Sequence, residues 1–173
     1  MRPNEFVYTI YLNATPQKVW DTITENDGPR DWWSDTHMLS TFKSGSTIVF
    51  RRAENDDVQG EILESEAPHK LVHTFRVGGH GPMHDEGVSL VTYEITTNGP
   101  STMLTIKHQG FPDDSAVRKG VSKGWPAILC SMKSFIETGK ALRYADWGDR
   151  IEQSKTQKET QEDSEKESNF TII

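Results

Sequence analysis

The sequence predicts an α+β domain in which a strongly curved antiparallel β-sheet is covered by one long C-terminal α-helix. Three observations lead there. The chain opens with a strand followed at once by a short helix. Five further strand-like runs are then joined by short turns, and the last of them leads into "GWPAILCSMKSFIETGKAL", which has a wide apolar face at helical spacing. Short connections make neighbouring strands antiparallel, and a bent sheet must bury its apolar face under the one element long enough to cover it.

The first strand is "FVYTIYL", Phe6 to Leu12, rich in β-branched and aromatic residues. In "ATPQKVWDTIT", Thr15 is a good N-cap and Pro16 suits the first helical position. Val19, Trp20 and Ile23 supply the apolar face of a short helix running to about Glu25. Asn26, Gly28 and Pro29 end it.

The runs "STIVFRR", "VQGEILESE", "KLVHTFRV", "GVSLVTYEIT" and "TMLTIKHQG" read as five strands, separated by "ENDD", "APH", "GGHGPMHDE" and "NGPS". Asp113, Asp114 and Ser115 are candidates to cap a first helical turn, although Gly120 and Gly124 interrupt it. From Trp125 to Ala141 the residues Trp125, Ile128, Leu129, Met132, Phe135, Ile136 and Gly139 share one face, opposite Lys133, Ser134, Glu137 and Lys140.

The domain is expected to span residues 1–143. From 144 to 173 the chain is a charged tail, expected to be solvated and disordered, because between Ile151 and Asn169 Ile151 is the only large apolar residue and cannot offset the cost of ordering the segment. The formal charge is −7. The tail holds −4 of it and the body −3, which disfavours nucleic acid as a partner, since a phosphate-backbone binder needs a concentrated basic face. The single cysteine, Cys130, excludes a disulfide framework and points to a reducing, cytoplasmic setting. No membrane-spanning run or export signal is visible, so no membrane partner is expected.

The element order and the pieces "ATPQKVWDTIT", "DWWSD", "GEILESEAPHKLVHTF", "HQGF" and "GWPAILCSMKSFIETG" resemble the activator of heat-shock protein 90 ATPase homologue-like family. That family belongs to a wider START-related superfamily that includes the birch pollen allergen and polyketide cyclases. The resemblance covers roughly the first 140 residues. It implies a helix-grip fold, a sheet wrapped around a long helix with a hydrophobic cavity between them. It also brings in stress response and chaperone contact as expectations, although nothing here matches the second domain of the eukaryotic co-chaperones that gave the family its name.

Two histidines are expected on the concave face. Leu71, His73, Phe75 and Val77 alternate with Val72, Thr74 and Arg76, and Leu104, Ile106 and His108 alternate with Thr105 and Lys107. Each could orient a polar group or move a proton; the plain alternative is a hydrogen-bonded core histidine. Glu61, Glu64 and Glu94 fall on the outer face, so no acid partners either ring. Trp32 and Trp33 sit in a Gly/Pro loop where one of them can roof the cavity, or the pair can simply fasten the loop. Met132 and Phe135 are core or ligand-lining. His80, His84 and Asp85 offer three possible metal ligands but lie in a Gly-rich turn without a rigid support, so no metal is expected.

The expected function is binding of a small hydrophobic or amphipathic ligand by Trp32, Trp33, His73, Phe75, His108, Trp125, Leu129 and Met132, with no catalytic residues and no cofactor. The alternatives are a cyclase- or hydrolase-like enzyme using an inward histidine, and a chaperone-accessory or self-associating interaction module with a filled core.

Overall fold

The computed structural model describes residues 4–145. The chain divides after Arg143 into two units, of which the first is described here. The charged tail, apart from Tyr144 and Ala145, lies outside the described residues.

Strand β1 (Glu5–Leu12) leads into helix α1 (Pro16–Thr24). Thr15 caps α1 as its sequence requires, its hydroxyl accepting from the Lys18 amide at 3.2 Å. A single 3-10 turn (Asp31–Trp33) and a three-residue strand β2 (His37–Leu39) follow, and neither was expected from the sequence. Then come β3 (Thr47–Arg52), β4 (Asn55–Glu66) and β5 (Lys70–Val77), a one-turn helix α2 (Pro82–Asp85), β6 (Ser89–Asn98), β7 (Ser101–Gln109) and the long helix α3 (Ala116–Thr138).

The seven strands form one antiparallel sheet in the order β1-β7-β6-β5-β4-β3-β2, so β2 to β7 make a meander and β1 closes onto the last strand. Register shifts between Phe50 and Arg51 and between Ile62 and Glu64 bend the β3-β4-β5 half. Between them lies Gly60, where a Cβ would stand 1.9 Å from the Thr74 carbonyl oxygen. Only glycine permits that backbone approach, and the curvature depends on it.

Helix α3 differs from its expected extent. It starts at Ala116 rather than near Trp125, continues unbroken through Gly120, Gly124 and Pro126, and stops at Thr138, where Gly139 takes the left-handed conformation of a C-cap rather than serving the apolar face. The buried stripe is Val117, Val121, Trp125, Leu129 and Met132, while Ile128, Phe135 and Ile136 are only partly buried. Packing of that stripe on the sheet outweighs the unfavourable helix propensities of two glycines and a proline. The C-terminal half of α3 is tied to the end of β1: Lys133 Nζ donates to the Tyr11 carbonyl at 2.8 Å, and the Asn13 amide donates to Glu137 Oε1 at 2.8 Å. Among the described residues no helix is long and apolar enough to cross a membrane.

Candidate functional site

The interior between sheet and helix is built by alternation. Inward positions on β5 supply Leu71, His73 and Phe75, those on β6 supply Val91, Tyr93 and Ile95, and those on β7 supply Leu104, Ile106 and His108. Pairing sets His73 opposite Val91 and Val91 opposite His108, so the two histidines stand two strands apart in one cross-sheet row. Both side chains are completely enclosed.

The eight residues expected to line a ligand cavity come together. The rings interlock: Trp33 packs edge-on against Phe50 (5.1 Å between centroids) and Trp125 (5.5 Å), Phe75 against His108 (4.7 Å), and Trp32 against Trp33 (5.7 Å). Leu129 and Met132 belong to the same core. Trp32 is buried while Trp33 keeps partial exposure, so of the tandem pair Trp33 covers the rings of the sheet and the helix. These side chains pack on one another, and an occupant must part them. A void of about 10 Å³ bordered by Phe75, Ser89, Phe111 and Val117 is close to the least that holds one water. A depression of about 480 Å³, lined by Asn4, Glu5, Thr74, Val88, Leu90 and Gln109 among others, contains none of the eight.

The two histidines have different chemistry. Trp125 Nε1–H donates to His108 Nδ1 at 3.2 Å, so that nitrogen is the acceptor and the ring proton sits on Nε2. Nε2–H then donates to Ser89 Oγ at 2.8 Å, and the Ser89 hydroxyl donates to the Phe75 carbonyl at 3.2 Å. Every group of this relay is satisfied. Burial, and secondarily the neighbouring His73, lower the His108 pKa to about 3, so at neutral pH it is a neutral structural imidazole.

His73 is bonded on one side only. Its Nδ1–H donates to the Thr74 carbonyl at 2.8 Å, which leaves Nε2 as a bare acceptor, and Nε2 is buried without a partner. Burial lowers its pKa to about 4, against a smaller opposing effect of the Thr74 bond. The hydroxyl of Tyr93, whose ring centroid lies 5.8 Å from that of His73, is likewise buried and unpartnered, and burial raises its pKa.

A third orphan is Arg30, which sequence reasoning passed over because an arginine in the turn "NDGPRDWWSD" looks like a solvated residue. It is 4 % exposed. Its Nη2 donates to the Ile23 carbonyl at 3.1 Å and to the Glu25 carbonyl, closing the C-terminal end of α1, while Nε and Nη1 are buried without acceptors. Tyr93 was legible in principle, since Val91, Tyr93 and Ile95 alternate like the histidine strands.

Of the three candidate metal ligands, His84 is engaged within its own loop. His84 Nδ1 donates to the Val77 carbonyl at 2.8 Å, and its Nε2 faces Arg76 Nη2 at 3.3 Å. Among the described residues no three His, Cys, Asp or Glu side chains gather as metal ligands.

A curved antiparallel sheet gripping one long C-terminal helix, with a short helix after the first strand and an enclosed aromatic interior, defines a helix-grip protein. The chain belongs to the family described as Activator of Hsp90 ATPase homolog 1-like protein, whose model matches residues 13–137. Solved structures share the fold. CalU16 from Micromonospora echinospora is 18% identical with a TM-score of 0.62, covering 78% of this chain and 77% of its own. The Aha1 dimer from Colwellia psychrerythraea is 20% identical with a TM-score of 0.64, over 79% and 98%. PFC0360w, described as an HSP90 activator from Plasmodium falciparum, is 18% identical with a TM-score of 0.62, over 79% and 97%. No curated protein matches the chain by sequence.

Proposed function

We propose that the domain binds a small hydrophobic or amphipathic molecule between the sheet and α3. The observation that carries this is the pair of completely buried polar atoms, His73 Nε2 and Tyr93 Oη, that have no partner among the described residues although they sit among rings able to hold an apolar body. Leaving such a group unsatisfied costs about 1–3 kcal/mol. A bound molecule with one polar end supplies the missing partners, while Trp33, Phe50, Phe75 and Trp125 take its apolar part. His108 keeps the sheet and helix in register and offers a ligand its ring rather than a hydrogen bond, because both its nitrogens are committed.

This arrangement argues against the enzyme alternative. General acid–base catalysis works best with a pKa near the working pH, and both interior histidines are held well below it. Titration of tryptophan fluorescence with medium-chain alcohols and acids tests the binding reading. A saturable change that is lost in Trp125→Phe supports it, and a flat response to the whole panel overturns it.

Chaperone docking is a second reading. It is favoured by the description of PFC0360w as an HSP90 activator and by Val7 and Tyr11, which project from the outer face of edge strand β1 with 39% and 53% exposure. Stimulation of an Hsp90 ATPase by the purified domain, abolished by Tyr11→Ser, would carry that reading; the fold by itself does not, since one scaffold serves unrelated functions.

A further inference from the structure

Arg30 is held with unusual firmness for a loop residue. Its amide donates to the Thr36 carbonyl at 3.0 Å, and its carbonyl accepts from Trp33 at 2.9 Å and from Asp35 at 3.0 Å. The backbone is thereby fixed on both sides of the side chain. The guanidinium lies 6.0 Å from the centroid of the Trp32 ring. One of its nitrogens closes α1, and the N–H bonds on Nε and Nη1 remain buried with no acceptor.

A structural cap uses one amino group and has no need to enclose the other donors. Burial brings the Arg30 pKa down to about 10, partly offset by Tyr93 and then by Glu25 and Asp27, so the group is still a cation at neutral pH. Among the described residues no carboxylate forms an ion pair with it. An enclosed cation without a counter-charge is costly. Packed rings run from it to Tyr93: Trp32 lies beside the guanidinium, Trp33 beside Trp32, Trp125 beside Trp33, and the Tyr93 ring, whose phenol also lacks a partner, stands 5.9 Å from that of Trp125 and beside His73.

We propose that Arg30 and Tyr93 form the polar end of the interior site and that this end takes a carboxylate, so that the ligand class is an amphipathic organic acid. The inference rests on the binding reading above and gives it a chemical direction. A carboxylate supplies acceptors for the arginine and phenol donors and neutralises the buried charge, while His73 Nε2, itself an acceptor, is met by an O–H or N–H elsewhere on the ligand, as in a hydroxy acid. An alcohol offers one oxygen and no charge, and leaves the cation unpaired. The hydrocarbon or aromatic part then lies against Trp32, Trp33 and Trp125.

The test compares decanoate with 1-decanol, each below its aggregation limit, by calorimetry on wild type, Arg30→Met and Tyr93→Phe. The expected result is that wild type binds decanoate at least about tenfold more tightly than decanol, that Arg30→Met removes the preference, and that Tyr93→Phe weakens decanoate several-fold more than it weakens decanol. If Arg30→Met does not fold, because Nη2 no longer closes α1, the Tyr93→Phe comparison decides alone. Equal affinity of wild type for the two compounds, or a preference untouched by the variants, overturns the acid assignment while the interior site stands. Binding of neither compound overturns the site itself.

Discussion

The indole of Trp125 on α3 hydrogen-bonds His108 Nδ1 on β7 at 3.2 Å, and this one contact sets the tautomer of a fully enclosed histidine. It fastens the helix to the sheet by a directional bond in the middle of an apolar layer, and the bond continues through Ser89 to the backbone of β5. Ser89→Ala leaves His108 Nε2–H without an acceptor and is expected to cost about 1–3 kcal/mol in urea unfolding at pH 7. Trp125→Phe removes the donor at the other end and opens space. The two losses should fall short of additivity when combined, because both act on one ring.

Acidification should destabilise the domain before its surface carboxylates titrate. The folded-state pKa values of His73 and His108, about 4 and about 3, lie below the value of about 6.5 for a free imidazole. Between those limits the unfolded chain binds protons that the folded chain refuses. Stability is therefore full above about pH 6.5 and falls as pH drops through the window to about 4, by up to about 1.4 kcal/mol per pH unit for each ring. Unfolding free energies measured at pH 7, 6 and 5 should show this slope, and a His73→Gln variant should show a shallower one. Equal slopes in the two proteins would remove His73 from the account.

Glu86 fastens the segment between β5 and β6 to the start of α3. Its carboxylate accepts from the Ser115 hydroxyl at 2.5 Å and from the Ala116 amide at 2.6 Å, at the positive end of the helix. Glu86→Ala is expected to cost about 2 kcal/mol and to speed hydrogen exchange selectively in the first turn of α3. Unchanged exchange there would show that Ser115 caps the helix without help.

Gly60→Ala is expected to be among the most damaging single-methyl additions, at about 3 kcal/mol or more, because the added carbon would meet the Thr74 carbonyl, which belongs to the sheet backbone and has no free rotamer to take. Thermal unfolding measures it directly. A shift of the midpoint within about 2 °C would mean that the strand pair relaxes apart easily.

Much of the fold was legible because strand alternation and helical spacing are local signals. The alternation around His73 and around His108 placed both rings on the inner face, and the structure agrees. What escaped depended on tertiary context. Strand β2 has only three residues and is called into being by pairing with β3. The first turns of α3 survive Gly120 and Gly124 because Val117 and Val121 pack inward and Glu86 caps the end. The candidate site was half legible: its apolar rings follow the pattern, but the buried donors of Arg30 come from a turn whose folding against α1 no periodicity records.

The central claim is that an occupant of the interior meets His73 Nε2. The most direct test is nitrogen-detected NMR of the histidine rings, with 15N label, during titration with 1-decanol and with decanoate in turn. The account predicts that at least one compound shifts the His73 Nε2 resonance saturably while the rings of His80 and His84, in the loop between β5 and β6, stay in place. If neither compound moves His73 up to its solubility limit, the interior is a filled core and the binding account is wrong.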